Sequence, residues 1–171
     1  SLVGSEMCIR DRKKYPVLYL QHGFGESEIS WSTTGKVNLL MDNLIAAGKI
    51  KPFAIVMGNG MVKQRIDGEL KLNRALYGQM LVEEILPMLE KKYQFGGSKE
   101  KRGMAGLSMG SVQTTRIICE HPELFSEVGI FSGFLRDRIV GDEEHDGIVP
   151  KSGGQSYFCL LYTSPSPRDC S

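Results

Sequence analysis

Apolar residues along this chain fall into short continuous runs separated by longer stretches of helical spacing, and the two kinds alternate. "YPVLYLQHG" (15–23) is a β-branched and aromatic run closed by Gly23, which predicts a buried strand, with Pro16 at the entry where a missing N–H costs little. "NLLMDNLIAAGK" (38–49) places Leu40, Leu44 and Ala47 on one face and Gly48 at its stop, which predicts a helix. "PFAIVMGNG" (52–60) predicts a second strand. From Leu76 to Tyr93, residues Leu81, Ile85, Met88 and Leu89 recur at three- and four-residue spacing, a long helix with Pro87 able to kink it. "RGMAGLS" (102–108) predicts a third strand, about 110 to 121 another helix, and "EVGIFSG" (127–133) a fourth strand.

Strands alternating with helices imply β-α-β units, hence an α/β fold with a mostly parallel sheet and helices on both faces. Ligands of such sheets bind outside the carboxyl ends of the strands, where Gly23, Gly58, Ser108 and Ser132 fall. "DRIVGDEEHDGIVPKSGG" (137–154) is polar and turn-rich and is expected to be a loop.

The two ends alter the boundaries. Cys159–Asp169 can be back-translated so that the reverse complement, read in another frame, encodes Leu2 to Asp11 without a mismatch. The ends therefore look like one inverted DNA element, similar to a translated sequencing adapter, and are set aside as a fusion scar would be. Residues 1–12 and 158–171 are expected to be non-native and to stand apart from the sheet, leaving 13–157 as a partial domain. Three of the four cysteines (Cys8, Cys159, Cys170) lie in those ends. Only Cys119 remains, on an apolar helical stretch, so no disulfide framework or zinc spacing is left. A net charge of +1 without a basic block gives no pointer to nucleic acid or an anionic membrane, and no apolar run reaches spanning length.

"KRGMAGLSMGSVQ" (101–113) carries the candidate chemistry. Gly106-Leu107-Ser108-Met109-Gly110 has the G-x-S-x-G spacing, which chance alone supplies in roughly one chain in twenty of this length. The predicted strand before and helix after are the context the motif needs. A serine on that sharp turn has its hydroxyl raised above the sheet edge, and Gly106 and Gly110 are expected where a Cβ would strike a neighbouring element. The helix beginning at Met109 aims its N–H groups and positive dipole end at the same point, so the Met109 N–H is a candidate oxyanion donor. "HGFGESEISW" (22–31) offers the second donor from Phe24 or Gly25. His22 is expected to fix the turn at Gly23 by hydrogen bonding, not to act as base, and Trp31 to pack as core or pocket wall.

With these residues in place, "PVLYLQHGFGESEISW", "DNLIAAGKIKPFAIVMGNG" and "GLSMGSVQTTRI" together resemble the esterase family of α/β-hydrolases, across nearly all of 13–157. That family includes feruloyl esterases of carbohydrate esterase family 1, enterochelin esterases, S-formylglutathione hydrolases and mycolyltransferases. The "HGFGE…W" spacing favours the feruloyl-esterase branch, from which Ser111 departs, glycine being usual there. The resemblance implies a serine carboxylic-ester hydrolase acting through an acyl-enzyme on hydroxycinnamoyl or acetyl esters of plant polysaccharide. It implies no cofactor or metal, and it favours a secreted or periplasmic setting. An S-formylglutathione-type thioesterase and a non-catalytic carbohydrate-binding relative are the alternatives. In the family the acid and the base follow the serine on later strands. Asp142, His145 and Asp146 have the right order, but residues of one loop cannot easily meet both triad geometries. His121, at the helix end, is expected to be structural. The acid and base are therefore expected downstream of this segment, leaving the chain a weak catalyst. Sequencing the coding DNA checks the reading of the ends: the stretches encoding 2–11 and 159–169 are expected to be reverse complements.

Overall fold

The structure, a computed structural model, describes residues 2–3, 15–73, 76–93, 95–133 and 156–160, the first and last of these ranges as backbone only. A sheet of six strands forms its centre. In chain order these are β1 (Leu2–Val3), β2 (Val17–Gln21), β3 (Ala54–Val56), β6 (Arg102–Leu107), β7 (Glu127–Phe131) and β8 (Ser156–Leu160), with β4 (Lys63–Ile66) and β5 (Glu69–Leu72) forming a separate hairpin. Spatial order is β1-β3-β2-β6-β7-β8. Only β1 runs antiparallel to its neighbour. The α/β architecture expected from the alternating pattern is the one observed.

Strand alternation explains why these runs are continuously apolar. Val17 and Tyr19 of β2, Ala54 and Val56 of β3, Met104 of β6 and Val128 of β7 face one core cluster. Leu18, Leu20, Ile55, Met57, Ala105 and Phe131 face the other. Successive side chains point to opposite faces, so a sheet covered on both sides needs apolar residues at both parities. The first cluster is capped by α3 (Leu76–Met80), a π-helical turn (Leu81–Ile85), α4 (Leu86–Tyr93) and α5 (Met109–Glu120). The second is covered by α1 (Ser30–Thr33) and α2 (Val37–Ala46), through Trp31, Val37 and Met41.

The chain leaves β2 for β3 on one side, then crosses back past β2 to β6. That reversal opens a crevice at the carboxyl ends of β2 and β6, where sheets of this kind hold ligands. His22–Gly25 and Ser108 follow those two strands directly.

Several local features have identifiable causes. Helix α2 ends in a Schellman pair, with Lys49 N–H donating to Leu44 O and Gly48 N–H to Ile45 O, and Gly48 at φ 65° supplies the left-handed turn. The long helix is not a plain α-helix. Pro87 cannot donate to the carbonyl a turn back, and the preceding turn widens so that Leu86 N–H reaches Leu81 O. Hairpin β4–β5 was not foreseen, because its strands are almost wholly exposed and carry no apolar face. Its turn signal was nonetheless there, since Asp67-Gly68 has both residues at positive φ (53° and 84°), as a two-residue hairpin loop requires.

The expectation that the ends stand apart from the sheet needs correction. Leu2 and Val3 pair with Val56 and Ile55, and Ser156–Leu160 pairs in parallel with Glu127–Phe131, covering the edge that β7 would otherwise expose. The physical reason is that an open sheet edge presents unpaired N–H and C=O groups, which any extended segment can satisfy whatever its origin. Residues 4–14 and 137–154 of the sequence reading, including Asp142, His145 and Asp146, lie outside the described residues.

Phe125 is fully buried and meets the Tyr19 ring edge-on at 5.9 Å, at the centre of the larger cluster. Phe125→Ala is expected to destabilise the fold by about 3–5 kcal/mol, read as a fall in the urea midpoint.

Candidate active site

Ser108 sits between the last residue of β6 and the first of α5 with φ 51° and ψ −110°, outside every broadly allowed region for a side-chain-bearing residue. Such a conformation costs on the order of 1–3 kcal/mol and persists only where its surroundings over-determine it. They do. The Ser108 N–H donates to Phe131 O of β7 at 2.9 Å, while its carbonyl accepts from the N–H groups of Ser111 and Val112 at 3.0 and 3.2 Å. The buried Ser111 hydroxyl adds a third donor to the same carbonyl at 2.5 Å. Where the resembling branch carries glycine, this chain thus has a serine that pins the strained turn.

The glycines on either side of the serine are required by contact. A Cβ at Gly106 would collide with the Gly110 carbonyl and with Ser111 N. One at Gly110 would lie 2.7 Å from the carbonyl oxygens of both Gln21 and His22. The first turn of α5 therefore rests directly on the end of β2. A Cβ at Gly23 would come 3.8 Å from Leu107 O, so the loop after β2 begins beside the residue preceding Ser108. That loop is a tight turn: Glu26 N–H returns to Gly23 O, and Gly23 N–H donates to Glu26 Oε2 at 2.7 Å. Phe24 at its tip is 61% exposed, and Gly25 has φ 79° with open space where a Cβ would stand. At the start of α5, Met109 is the first helical residue, a position whose N–H has no carbonyl a turn back within the helix to reach.

His22 is buried with both ring nitrogens engaged. Gly60 N–H donates to Nε2 at 3.1 Å, which makes Nε2 the acceptor and places the proton on Nδ1, facing Gly23 O at 2.8 Å. Trp31 donates Nε1–H to Gln21 O at 3.1 Å and packs its ring against Phe131, with centroids 6.2 Å apart, at the edge of the second core cluster. His121 lies beyond the C-terminal end of the 12-residue α5, beside Glu123, at the opposite end from Ser108. Burial pushes the Tyr19 and Tyr77 phenols up, so neither supplies a base near neutral pH. Burial and the nearby Glu120 likewise push the Cys119 thiol up.

Sequence reasoning missed a buried polar group beneath the site. Gln113, on the inward face of α5, donates Nε2–H to Gly60 O at 3.0 Å, and Gln21 stands beside it, both nearly inaccessible. The signal was a glutamine within the helical stripe of Met109, Gly110, Thr114, Ile117 and Ile118, all of which are buried. On the rim, Asn59 Nδ2 donates to Glu28 Oε2 at 3.0 Å, a second link between the loops after β3 and β2. Among the described residues no group of His, Cys, Asp or Glu could hold a metal ion, and no helix is long and apolar enough to cross a membrane.

Comparison with known proteins bears on the family and the fold. The family described as "Putative esterase" matches residues 7–154. A protein of Xylanibacter ruminicola named endo-1,4-beta-xylanase/feruloyl esterase is 45% identical over 123 residues, 71% of this chain and 17% of that protein. Among solved structures, a ferulic acid esterase superposes with TM-score 0.60 at 35% identity, over 72% of this chain and 48% of that one. A CE1 ferulic acid esterase from Anaeromyces mucronatus, in complex with ferulic acid, superposes with TM-score 0.67 at 23% identity, over 77% and 51% respectively. The chain thus spans about half of these solved esterases and a smaller part of the curated relative.

Gly110→Ala should test the close approach on which this arrangement rests. Expected is a loss of several kcal/mol or failure to fold, whereas Val112→Ala, at an exposed position of the same helix, should change stability by less than about 0.5 kcal/mol. Thermal melting of the two variants checks it.

Proposed function

Since the chain belongs to the esterase family of α/β-hydrolases, we propose that it is the nucleophile-bearing part of a serine carboxylic-ester hydrolase with Ser108 as nucleophile. The observation that carries this reading is the strained Ser108 turn, held by hydrogen bonds to β7 and from the first turn of α5, at the crevice between β2 and β6. Ser108 Oγ adds to the ester carbonyl carbon. Collapse of the tetrahedral adduct expels the alcohol and leaves an acyl-serine, which water then hydrolyses, restoring the hydroxyl and releasing the acid. Charge on the carbonyl oxygen is met by Met109 N–H and by the N–H of Phe24 or Gly25. The seating of α5 on the end of β2 supports that pairing, because it brings both N–H sources to the same strand ends.

The general base and its acid are assigned to residues outside the described ones, since the imidazole of His22 is fully committed and His121 is remote. Hydroxycinnamoyl or acetyl esters on plant polysaccharide are the proposed substrates, supported by the names of the xylanase/feruloyl esterase relative and the ferulic acid esterase structures.

Without a base at its side Ser108 stays a neutral hydroxyl, acylating slowly and deacylating more slowly still. Incubation with p-nitrophenyl ferulate is therefore expected to leave a feruloyl adduct on the peptide containing Ser108, visible by mass spectrometry and absent from Ser108→Ala. Turnover of p-nitrophenyl acetate should remain near the residual that oxyanion donors alone provide, about 10³–10⁴-fold over water. No adduct on Ser108 would sink the nucleophile assignment. Faster turnover abolished by His145→Ala would place the base at His145.

A further inference from the structure

We infer that Gln113 is a positioning residue of the reaction: through the Gly60 peptide and His22 it sets where the oxyanion loop after β2 stands relative to Ser108. This rests on the serine-esterase reading. The connection is continuous. Gln113 lies on the buried face of α5, the helix that Ser108 begins, and its amide donates to Gly60 O at 3.0 Å. The same peptide unit's neighbour, Gly60 N–H, donates to His22 Nε2 at 3.1 Å, and His22 Nδ1–H closes on Gly23 O at 2.8 Å, the first carbonyl of the loop. Gly60 is thus held from both sides, by Gln113 of α5 at its carbonyl and by the His22 imidazole, just past β2, at its amide.

Three properties make this a positioning device and not an incidental contact. The partners come from three segments, helix α5, the residue after β2 and the loop after β3, so the clamp ties that last loop to a pair of strands already joined by their own ladder. Gln113 and His22 are only 4% and 1% exposed, so no bulk water replaces a lost bond, and an unmade bond leaves a desolvated carbonyl. The fit at Gly60 is also tight, because a Cβ there would collide with Gln21 Nε2 and Gln113 Oε1. A loop donor stabilises the developing oxyanion only within about 2.7–3.1 Å of it. A displacement of about 1 Å costs on the order of 10²-fold in rate even when the displaced group is remote from the chemistry.

The experiment uses Gln113→Met, which keeps the volume and removes the donor, and Gly60→Ala, which disturbs the same peptide from the other side. Hydrogen–deuterium exchange reads the clamp without reference to catalysis, and the saturable rate of Ser108 acylation by p-nitrophenyl ferulate reads its consequence. Expected in both variants are faster exchange confined to residues 22–28 and 58–62, and a limiting acylation rate lowered ten-fold or more at a half-saturating concentration within two-fold of the parent. Exchange in 22–28 that is unchanged, or raised equally across β6 and β7, overturns the inference, as does a parental acylation rate in a folded Gln113→Met. If the parent chain itself is not acylated at Ser108, the serine-esterase reading fails instead, and the exchange pattern still decides whether the clamp exists.

Discussion

Between the backbone of Gly110 and the carbonyls of Gln21 and His22 there is no room for a methyl group. This approach sets the rest of the site. A helix can rest its first turn on the end of a neighbouring strand only if the turn joining it to its own strand is unusually sharp. That sharpness forces Ser108 to φ 51°, where a side chain is strained. It also removes any space for a Cβ at Gly106, which faces Gly110 across the turn. Close approach, strain and glycine spacing are one constraint seen at three positions. Its product is a helix N-terminus, with its partial positive charge, aimed at the crevice where the strand order reverses.

Such strain needs a rigid frame, and the sheet supplies it. Alternating side chains of β2, β3, β6 and β7 feed two separate clusters, so neither face of the central strands is free to shift. The elbow is tied into that frame by Ser108 N–H to Phe131 O, at the end of the adjoining β7. The Ser111 hydroxyl adds a local tie absent from a glycine at that position. Each such bond is worth about 0.5–1.5 kcal/mol net, so the three donors to the Ser108 carbonyl are together comparable with the cost of the strained conformation.

Much of this was legible in the sequence because it follows from periodicity and punctuation. The apolar runs at 15–23, 102–108 and 127–133 became β2, β6 and β7, and the spacing from Leu76 to Tyr93 became one helical stretch broken where Pro87 withholds its N–H. Other features left no such trace. Hairpin β4–β5 has no apolar face to generate a pattern, and only Asp67-Gly68 announces it. Pairing of Leu2–Val3 and Ser156–Leu160 depends on backbone groups at an open edge, which every extended sequence shares. Within the site, the serine and its glycines are visible because sterics restrict which residues fit. Gln113 is not, since a glutamine is also an ordinary residue for an exposed helix face, and only burial reveals that it points inward.

Polar side chains under the site are themselves a consequence of the backbone. Gly60 lies past the end of β3, where the parallel ladder has stopped, yet it is buried. Its N–H and C=O have no strand neighbour to pair with, and leaving them unmet would cost about 1–3 kcal/mol each. Side chains must therefore reach them, and His22 and Gln113 do. An apolar residue of equal volume at either position would fill the space and leave a peptide group stranded. The same core also retains Gln21, whose side-chain amide makes no hydrogen bond among the described residues and whose Nε2 borders the space that a Cβ at Gly60 would take. A core selected for stability alone would be drier here. The burial of three amide- and imidazole-bearing side chains in one place follows from a loop that must end a short strand, turn inward and still abut both halves of the crevice.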